Sequence, residues 1–393
     1  MNPAAEFDII VYGASGYTGR LVAEYLAKRY GVGGEVAWAM AGRSAEKLAA
    51  VRDEIGAPAE TPLVVADADD AAQLEAMVRR GKAILTTVGP YQLYGSALVA
   101  ACAAAGTDYL DLCGEPAWMR RMIDAHDAEA RASGARILFS CGFDSIPFEL
   151  GTWFVQQEAR RAFGAPAARV KGRVRGMKGG FSGGTAASLK ATMAAAMQDP
   201  SVMPLLANPF ALTPGFQGPE QPAGMAPEFD PDIDAWVAPF VMAAINTRNV
   251  HRSNALLGHA YGEHFVYDEM MIAGPGEQGE AAARAMASAG PGLGADGGPK
   301  PGEGPTKEER ETGFFDVLFV AVGPDGRQVR ASVAGDKDPG YGSTSKMIAE
   351  TAVCLVKAPE VRGGVWTPGA ALTQKLVDRL QANAGLAFKV ETA

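Results

Sequence analysis

The sequence predicts an α/β fold: a doubly wound parallel sheet, followed by a second α+β domain on a mixed or antiparallel sheet. Over residues 1–150, short apolar runs alternate with alanine-rich helical patterns, and a glycine-rich turn follows the first run. After Gly151 the pattern changes to residue-by-residue alternation. Strands that alternate with helices favour a parallel sheet, because each parallel connection must cross over the sheet. We therefore predict domains over 1–150 and 151–360, and a terminal segment, 361–393, that packs back on the first domain.

The first domain contains six candidate strands and five candidate helices. Its strands are apolar on consecutive residues, as parallel strands buried on both faces are. We predict strands over 8–12, 35–41, 63–66, 83–87, 109–112 and 136–140, separated by helices over 18–30, 44–55, 70–79, 96–105 and 116–133.

The second domain shows alternation typical of half-exposed strands. Over 169–177, Arg and Lys occupy one face and small apolar residues the other, and 313–322 pairs with 328–334 as a hairpin. Helical patterns over 185–197 and 343–356 are expected to cross this sheet, and 370–384 forms a last helix. Residues 290–305 are rich in Gly and Pro and predict a mobile surface loop, with a lid over the site as the functional alternative.

Composition excludes several classes of protein. The 36 Lys+Arg against 45 Asp+Glu give a net charge of −9, which argues against nucleic-acid binding. The four cysteines form no CxxC pair and the four histidines have no carboxylate partner at ligand spacing, so we predict no metal site. The sequence shows neither a leader pattern nor a membrane-span pattern, and we expect a cytoplasmic protein.

The segment GASGYTG follows the first strand and opens the first helix, which is the context of a dinucleotide-binding turn. The first glycine permits the tight turn, the second lets a pyrophosphate approach the helix N-terminus, and the third allows close helix packing. A turn with packing glycines alone is the alternative. The predicted cofactor contacts are Gly13, Ser15, Gly16, Tyr17, Thr18 and Gly19.

The end of the second strand favours NADP(H) over NAD(H). An NAD site usually places an acid there, whereas this strand ends in Gly42-Arg43-Ser44. Arg43 can bind a 2′-phosphate with two hydrogen bonds, and Ser44 can add one. Arg43 as an ordinary exposed residue is the alternative.

The other strand ends supply further candidates, because ligands bind at the carboxyl edge of such sheets. Asp67 ends the third strand, near the expected adenine. Small residues after the fourth strand leave room for the nicotinamide ribose. The predicted contacts at these two later edges are Val88, Gly89 and Pro90 after the fourth strand and Cys113 and Gly114 after the fifth.

Together these segments resemble the saccharopine dehydrogenase-like oxidoreductases. The resemblance lies in YGASGYTGRL, AGRS, TTVGPY, YLDLCGE and CGFDSIPFELG, and GGFSGGTAAS and DKDPGYGSTSKMIAETAVCL resemble especially the branch that contains the mycobacterial trans-acting enoyl reductases. The resemblance implies a Rossmann domain, a mixed α+β domain, and NADP(H) bound between them. It also implies an enoyl reductase whose substrate is presented by another protein.

Two apolar segments, 203–216 and 234–247, suit a small-molecule substrate that is lipid-like or polyketide-like, with CoA or a carrier protein as optional carriers. For these two segments, contact with a membrane surface and core helices of the second domain are the alternatives. For the oligomeric state, a homodimer is an option. Carbonyl or imine chemistry of the saccharopine type, and a non-catalytic NADP(H) sensor or scaffold, remain competing functions.

Enoyl reduction needs a group that polarises the carbonyl and a group that supplies a proton. Thr185, with the preceding glycines, is the candidate for polarisation, and a helix-capping turn is its alternative. Tyr91 is the preferred proton donor because it follows the fourth strand. Tyr94, Asp144 and Tyr341 are the other candidates, and Cys141 as a nucleophile would need a histidine partner.

Overall fold

The computed structural model describes residues 5–180, 183–289 and 302–391, and of residues 183–186 and 189 it describes the backbone alone. Residues 290–301 of the predicted loop over 290–305 therefore lie outside the described residues. Within these ranges the chain forms two seven-stranded sheets.

The first sheet confirms the predicted doubly wound fold. All of its strands are parallel, in the order β13-β6-β5-β4-β1-β2-β3. Its strands are β1 (Phe7–Tyr12), β2 (Trp38–Gly42), β3 (Leu63–Val65), β4 (Gly81–Thr86), β5 (Asp108–Leu110), β6 (Arg136–Leu138) and β13 (Gly364–Trp366). The intervening helices are α1 (Tyr17–Tyr30), α2 (Ala45–Glu54), α3 (Ala71–Val78), α4 (Tyr91–Tyr94), α5 (Ser96–Ala105) and α6 (Pro116–Ser133).

The second sheet is mixed, in the order β14-β12-β11-β7-β10-β9-β8, with only the β7–β10 pair parallel. Its strands are β7 (Arg169–Lys178), β8 (Glu228–Asp230), β9 (Ala235–Pro239), β10 (Val266–Gly274), β11 (Phe314–Val322), β12 (Gln328–Gly335) and β14 (Leu386–Glu391). The remaining helices are α7 (Ile146–Phe163), α8 (Gly183–Gln198), α9 (Val202–Ala207), α10 (Ala243–Leu256), α11 (Gly276–Ala289), α12 (Lys307–Thr312), α13 (Thr344–Val356) and α14 (Pro368–Asn383), with a π-helical turn at Pro339–Ser343.

Helix α13 corrects one expectation, because it packs on the first sheet and not across the second. It contacts α1, β1, β4 and α14. Its buried Glu350 accepts hydrogen bonds from Tyr25 at 2.6 Å and Tyr30 at 2.8 Å, both on α1. A parallel sheet must be covered on both faces, and a helix distant in sequence supplies part of this cover. The division of the chain at residues 150 and 360 stays a prediction. Both α13 and β13 follow residue 150 in the chain, and both belong with the first sheet.

Strand β7 is half-exposed as predicted, except that Arg173 is buried. Arg173 is 1% exposed and pairs with Asp230 and Asp268, each at 2.8 Å. Lys171 pairs with Asp230 at 2.6 Å. The acids come from β10, which pairs with β7, and from β8, two strands beyond β10. The alternation of β7 alone reveals neither partner.

Parts of the two apolar segments are buried in the core, as the core alternative predicts, whereas Met203 and Val241 are 55% and 39% exposed. In the first, Phe210, Ala211 and Leu212 are 3%, 0% and 0% exposed. In the second, Val237 and Ala238 of β9 are fully buried. A strand and irregular chain provide most of this core, where helices were expected.

Candidate active site

The glycine turn between β1 and α1 has the geometry that a dinucleotide site requires. Gly13 has φ +89°, a backbone conformation that residues other than glycine rarely adopt. A Cβ on Gly19 would lie 2.2 Å from the carbonyl oxygen of Gly13, so α1 packs on the turn as closely as backbone allows. Gly16 occupies the N-cap position of α1 and is exposed. No side chain forms a capping hydrogen bond at this helix start. The first-turn amides of α1 are thus available to an anion.

Tyr17 contacts residues far along the chain, which the sequence does not reveal. Its hydroxyl donates to the carbonyl of Pro305 and accepts from Arg310 Nη1 at 3.0 Å. Its ring meets that of Tyr341 edge-on at 5.1 Å. Tyr17 therefore fastens the chain around residues 302–310 to the start of α1. Of its neighbours, Ser15 is exposed and Thr18 is half-buried.

The adenosine end of the edge gathers Arg43, Asp67 and Tyr12. Burial raises the pKa of Tyr12 to about 12, Asp67 adds to this rise, and Arg43 opposes it. Arg43 is exposed, and no hydrogen bond or ion pair to its guanidinium is formed within the described residues. Ser44 accepts from the backbone of Lys47 at 3.2 Å and so caps α2. Arg43 is left as the cationic group available to a 2′-phosphate.

The loop after β4 contacts both the glycine turn and α8. A Cβ on Gly13 would lie 2.8 Å from Val88 Cγ2, and one on Gly89 would lie 3.9 Å from the hydroxyl of Ser188. Gly89 is exposed and Pro90 is buried. Gln92 also donates to Thr192 of α8 at 3.4 Å. Helix α8 therefore borders this part of the edge; it begins at Gly183, and the side chain of Thr185 lies outside the described residues.

Glu115, at the end of the fifth strand, holds two loops of this edge together, and it is absent from the predicted site residues. Its carboxylate accepts from the backbone N–H groups of Tyr91 at 3.0 Å and Gln92 at 2.9 Å, and the residue is 2% exposed. The neighbouring Gly114 is exposed, with open space where a Cβ would stand, whereas Cys113 is buried and accepts from Glu115 N at 3.3 Å. An acid directly after a glycine at a strand end was the available signal.

Tyr91 faces the protein interior. Its hydroxyl accepts from Leu112 N at 3.1 Å and donates to Thr86 O at 3.4 Å, and the residue is 5% exposed. Burial raises the pKa of Tyr91 well above its ordinary value. This geometry argues against Tyr91 as the proton donor. Tyr94 lies at the surface, and Tyr341 is buried beside Tyr17.

Asp144, one of the candidate proton donors, lies in the loop between β6 and α7. The residue is half-buried, and its buried Oδ1 has no hydrogen-bond partner among the described residues. Burial raises the pKa of Asp144 to about 7. The adjacent Cys141 is fully buried, and burial raises the pKa of its thiol well above its ordinary value, which argues against a nucleophilic role.

Comparison with known proteins decides the family. Residues 9–138 match the saccharopine dehydrogenase NADP binding domain. The trans-acting enoyl reductase of Mycobacterium tuberculosis is 37% identical over 97% of both chains, and that of Mycobacterium ulcerans is 38% identical over 95% of this chain and 96% of the relative. The chain belongs to the trans-acting enoyl reductase family. A second M. tuberculosis relative is 41% identical over 96% of both chains.

The fold of this trans-acting enoyl reductase family member also matches a solved structure. Apo saccharopine dehydrogenase (L-Glu forming) from Saccharomyces cerevisiae superimposes with a TM-score of 0.53 at 10% identity, over 98% of this chain and 100% of that one. This likeness concerns the fold alone. The family assignment confirms that the protein is an NADP-dependent oxidoreductase.

The residues present fit NADP(H). The uncapped start of α1 can bind the pyrophosphate, the free guanidinium of Arg43 can bind the 2′-phosphate, and open space at Gly114 lets a ligand approach the backbone. No helix in the described part of the chain has the length and apolarity to span a bilayer. Within the same ranges, no three His, Cys, Asp or Glu residues are grouped so as to hold a metal ion.

Proposed function

We propose that this protein reduces the α,β double bond of an apolar enoyl thioester, carried on CoA or on a separate carrier protein. The relatives named trans-acting enoyl reductase support the reaction. The observation that carries the proposal is Asp144: a half-buried residue whose buried Oδ1 has no hydrogen-bond partner among the described residues, and whose pKa burial raises to about 7.

Elimination among the acids at the carboxyl edge supports this role. Asp111 is fully buried and accepts from the backbone of Cys113 and Ser140, each at 2.9 Å. Glu115 is committed to two backbone N–H groups, and Asp67 accepts from Asp69 N at 3.2 Å. Asp144 alone among these four combines partial exposure with a buried, unpartnered oxygen.

When bound, NADPH supplies a hydride to the β-carbon of the substrate. The carboxyl of Asp144 then gives its proton to the α-carbon of the resulting enolate and becomes a carboxylate. The edge loops orient the thioester, and the predicted polarising group, the backbone amides around Thr185 at the start of α8, stays part of the proposal.

Exposed apolar side chains beside this edge support an apolar substrate. Leu93 on α4 is 62% exposed, and Met193 and Met197 on α8 are 62% and 87% exposed. The Gln92–Thr192 hydrogen bond holds α4 beside α8, so these side chains border a common surface. Aliphatic surface next to a polar edge suits an acyl chain better than it suits a charged amino-acid adduct.

The test compares NADPH oxidation with dodecenoyl-CoA and crotonyl-CoA in the parent and in Asp144→Asn. We expect faster turnover of the longer substrate and a loss of about a hundredfold or more in the variant, because an amide cannot donate a proton in this way. Asp378→Asn, at an exposed position of α14, is the control and should keep most of the turnover. Parent protein that binds NADPH yet reduces neither thioester would overturn the proposal.

A further inference from the structure

The π-helical turn at Pro339–Ser343 lies beside the start of α1, and the proposed function leaves its segment, DKDPGYGST, unused. Single π-helical turns are frequent at functional sites. The Tyr341 ring meets the ring of Tyr17, the first residue of α1, edge-on at 5.1 Å. The fully buried Asp338 accepts from the backbone N–H groups of Tyr341 at 2.9 Å and Gly342 at 2.6 Å. The turn is therefore held in one conformation against the predicted pyrophosphate site.

Thr344, the first residue of α13, joins this turn to the loop that carries Asp144. Its hydroxyl donates to Pro339 O at 2.8 Å and accepts from Phe143 N at 2.9 Å, and the residue is 5% exposed. A Cβ on Gly142 would lie 2.9 Å from Thr344 Cγ2, so the loop backbone packs directly on this side chain. One hydroxyl thus uses both its donor and its acceptor to connect two segments that are distant in sequence.

The residue after Asp144 is anchored as well. Asn249 Nδ2 on α10 donates to Ser145 Oγ at 2.8 Å, and Ser145 N donates to Ser140 O at 3.0 Å. Asp144 itself has a buried Oδ1 that forms no hydrogen bond within the described residues. Since this oxygen anchors nothing, the bonds of Phe143 and Ser145 set where the carboxyl lies.

We propose that Thr344 is a positioning residue that holds the Asp144 loop in a fixed place relative to the start of α1, an inference that rests on the proposed function. A proton donor works only within hydrogen-bond reach of the atom that it protonates, and a displacement of about 1 Å can cost about a hundredfold in rate. Because the cofactor is expected to bind at α1, the donor loop must be held relative to that helix. Thr344 does this through the backbone of Phe143 and not through contact with the substrate.

The hydroxyl, and not the volume of the side chain, carries this role. Valine can neither donate nor accept, so Thr344→Val leaves the buried Phe143 N–H and Pro339 O without this partner. Serine keeps the hydroxyl and loses only the methyl group, so Thr344→Ser should retain both bonds. Thr351 provides the matched control, because it is fully buried on the same helix and its hydroxyl donates to Met347 O within α13 at 2.7 Å.

The experiment is steady-state NADPH oxidation with dodecenoyl-CoA in the parent, Thr344→Val, Thr344→Ser and Thr351→Val, with thermal unfolding of each protein. Thr344→Val should lower kcat by about tenfold or more, while KM for NADPH changes by less than about twofold, because the contacts of α1 are kept. Thr344→Ser should recover most of kcat, and Thr351→Val should lose stability at about the parent kcat. Equal kcat in Thr344→Val and Thr351→Val, or no recovery in Thr344→Ser, would overturn the proposal.

A second measurement uses the parent and does not depend on activity. The Phe143 N–H should exchange slowly with deuterium in the parent and in Thr344→Ser, and about tenfold or more faster in Thr344→Val where that variant folds. A Phe143 amide that exchanges freely in the parent would also overturn the inference. An inactive parent whose Phe143 amide loses protection in Thr344→Val, but not in Thr351→Val, would instead contradict the proposed function and leave the link between Thr344 and the Asp144 loop supported.

Discussion

The carboxylate of Glu115 accepts the backbone N–H of Tyr91 at 3.0 Å, so the loop after β5 holds the loop after β4. Both groups are buried. The bond fixes the segment at which a nicotinamide is expected.

Glu115→Ala should lower the free energy of unfolding by about 1–3 kcal/mol, because it leaves the N–H groups of Tyr91 and Gln92 unpaired. NADPH affinity should fall as well. Urea denaturation and NADPH titration check this. Glu129→Ala, at an exposed helix position, is the control, and equal losses in both variants would show that the Glu115 contact is unimportant.

Gly19→Ala should destabilise the first layer by about 1–3 kcal/mol, because its Cβ would collide with the carbonyl of Gly13 at 2.2 Å. NADPH-induced thermal stabilisation should disappear with it. At Gly114 a Cβ meets open space, so Gly114→Ala should keep the parent's thermal stability without ligand. A Gly19→Ala protein as stable as Gly114→Ala would contradict the close packing of α1.

Arg43→Ala should weaken NADPH binding by about ten- to hundredfold while NADH binding changes little, because a charge-assisted bond to the 2′-phosphate contributes about 1.5–3 kcal/mol. Thermal shift and titration with each cofactor measure this. Arg121→Ala, at another exposed arginine, should behave like the parent. Parallel losses of NADPH and NADH affinity would assign Arg43 a role other than phosphate recognition.

Tyr17→Phe should release the segment around Pro305, because it removes the hydroxyl that donates to Pro305 and accepts from Arg310. Tryptic cleavage at Lys307 and Arg310 should accelerate, with a loss of about 1 kcal/mol in unfolding free energy. Tyr94→Phe changes an exposed tyrosine and should leave the cleavage rate unchanged. Unchanged cleavage in Tyr17→Phe would show that other contacts hold this segment.

Stability should fall as pH rises through the range in which Asp144 ionises. Burial raises the pKa of Asp144 to about 7, from about 3.9 in the unfolded chain. Between these values the folded protein holds a proton that the unfolded chain has released, so the stabilisation is complete below the lower value and is lost as pH approaches the higher one.

Asp144→Asn should remove this part of the pH dependence. Relative to the parent, the variant should gain on the order of 2 kcal/mol between about pH 4 and pH 7, since a tenfold change in proton affinity is worth about 1.4 kcal/mol and partial exposure reduces the effect. Urea denaturation across this range measures it. Parallel stability curves for the two proteins would mean that Asp144 ionises normally.

The sequence by itself determined the parallel sheet, the glycine turn and the cofactor. These features are local: a run of apolar residues, a glycine at φ +89° and an arginine after a strand each act within a few residues. Tertiary structure decided the rest. The inward orientation of Tyr91, the cover of the first sheet by α13, and the hydrogen bond from Gln92 N to Glu115 depend on contacts between residues far apart in the chain, which no local period or spacing encodes.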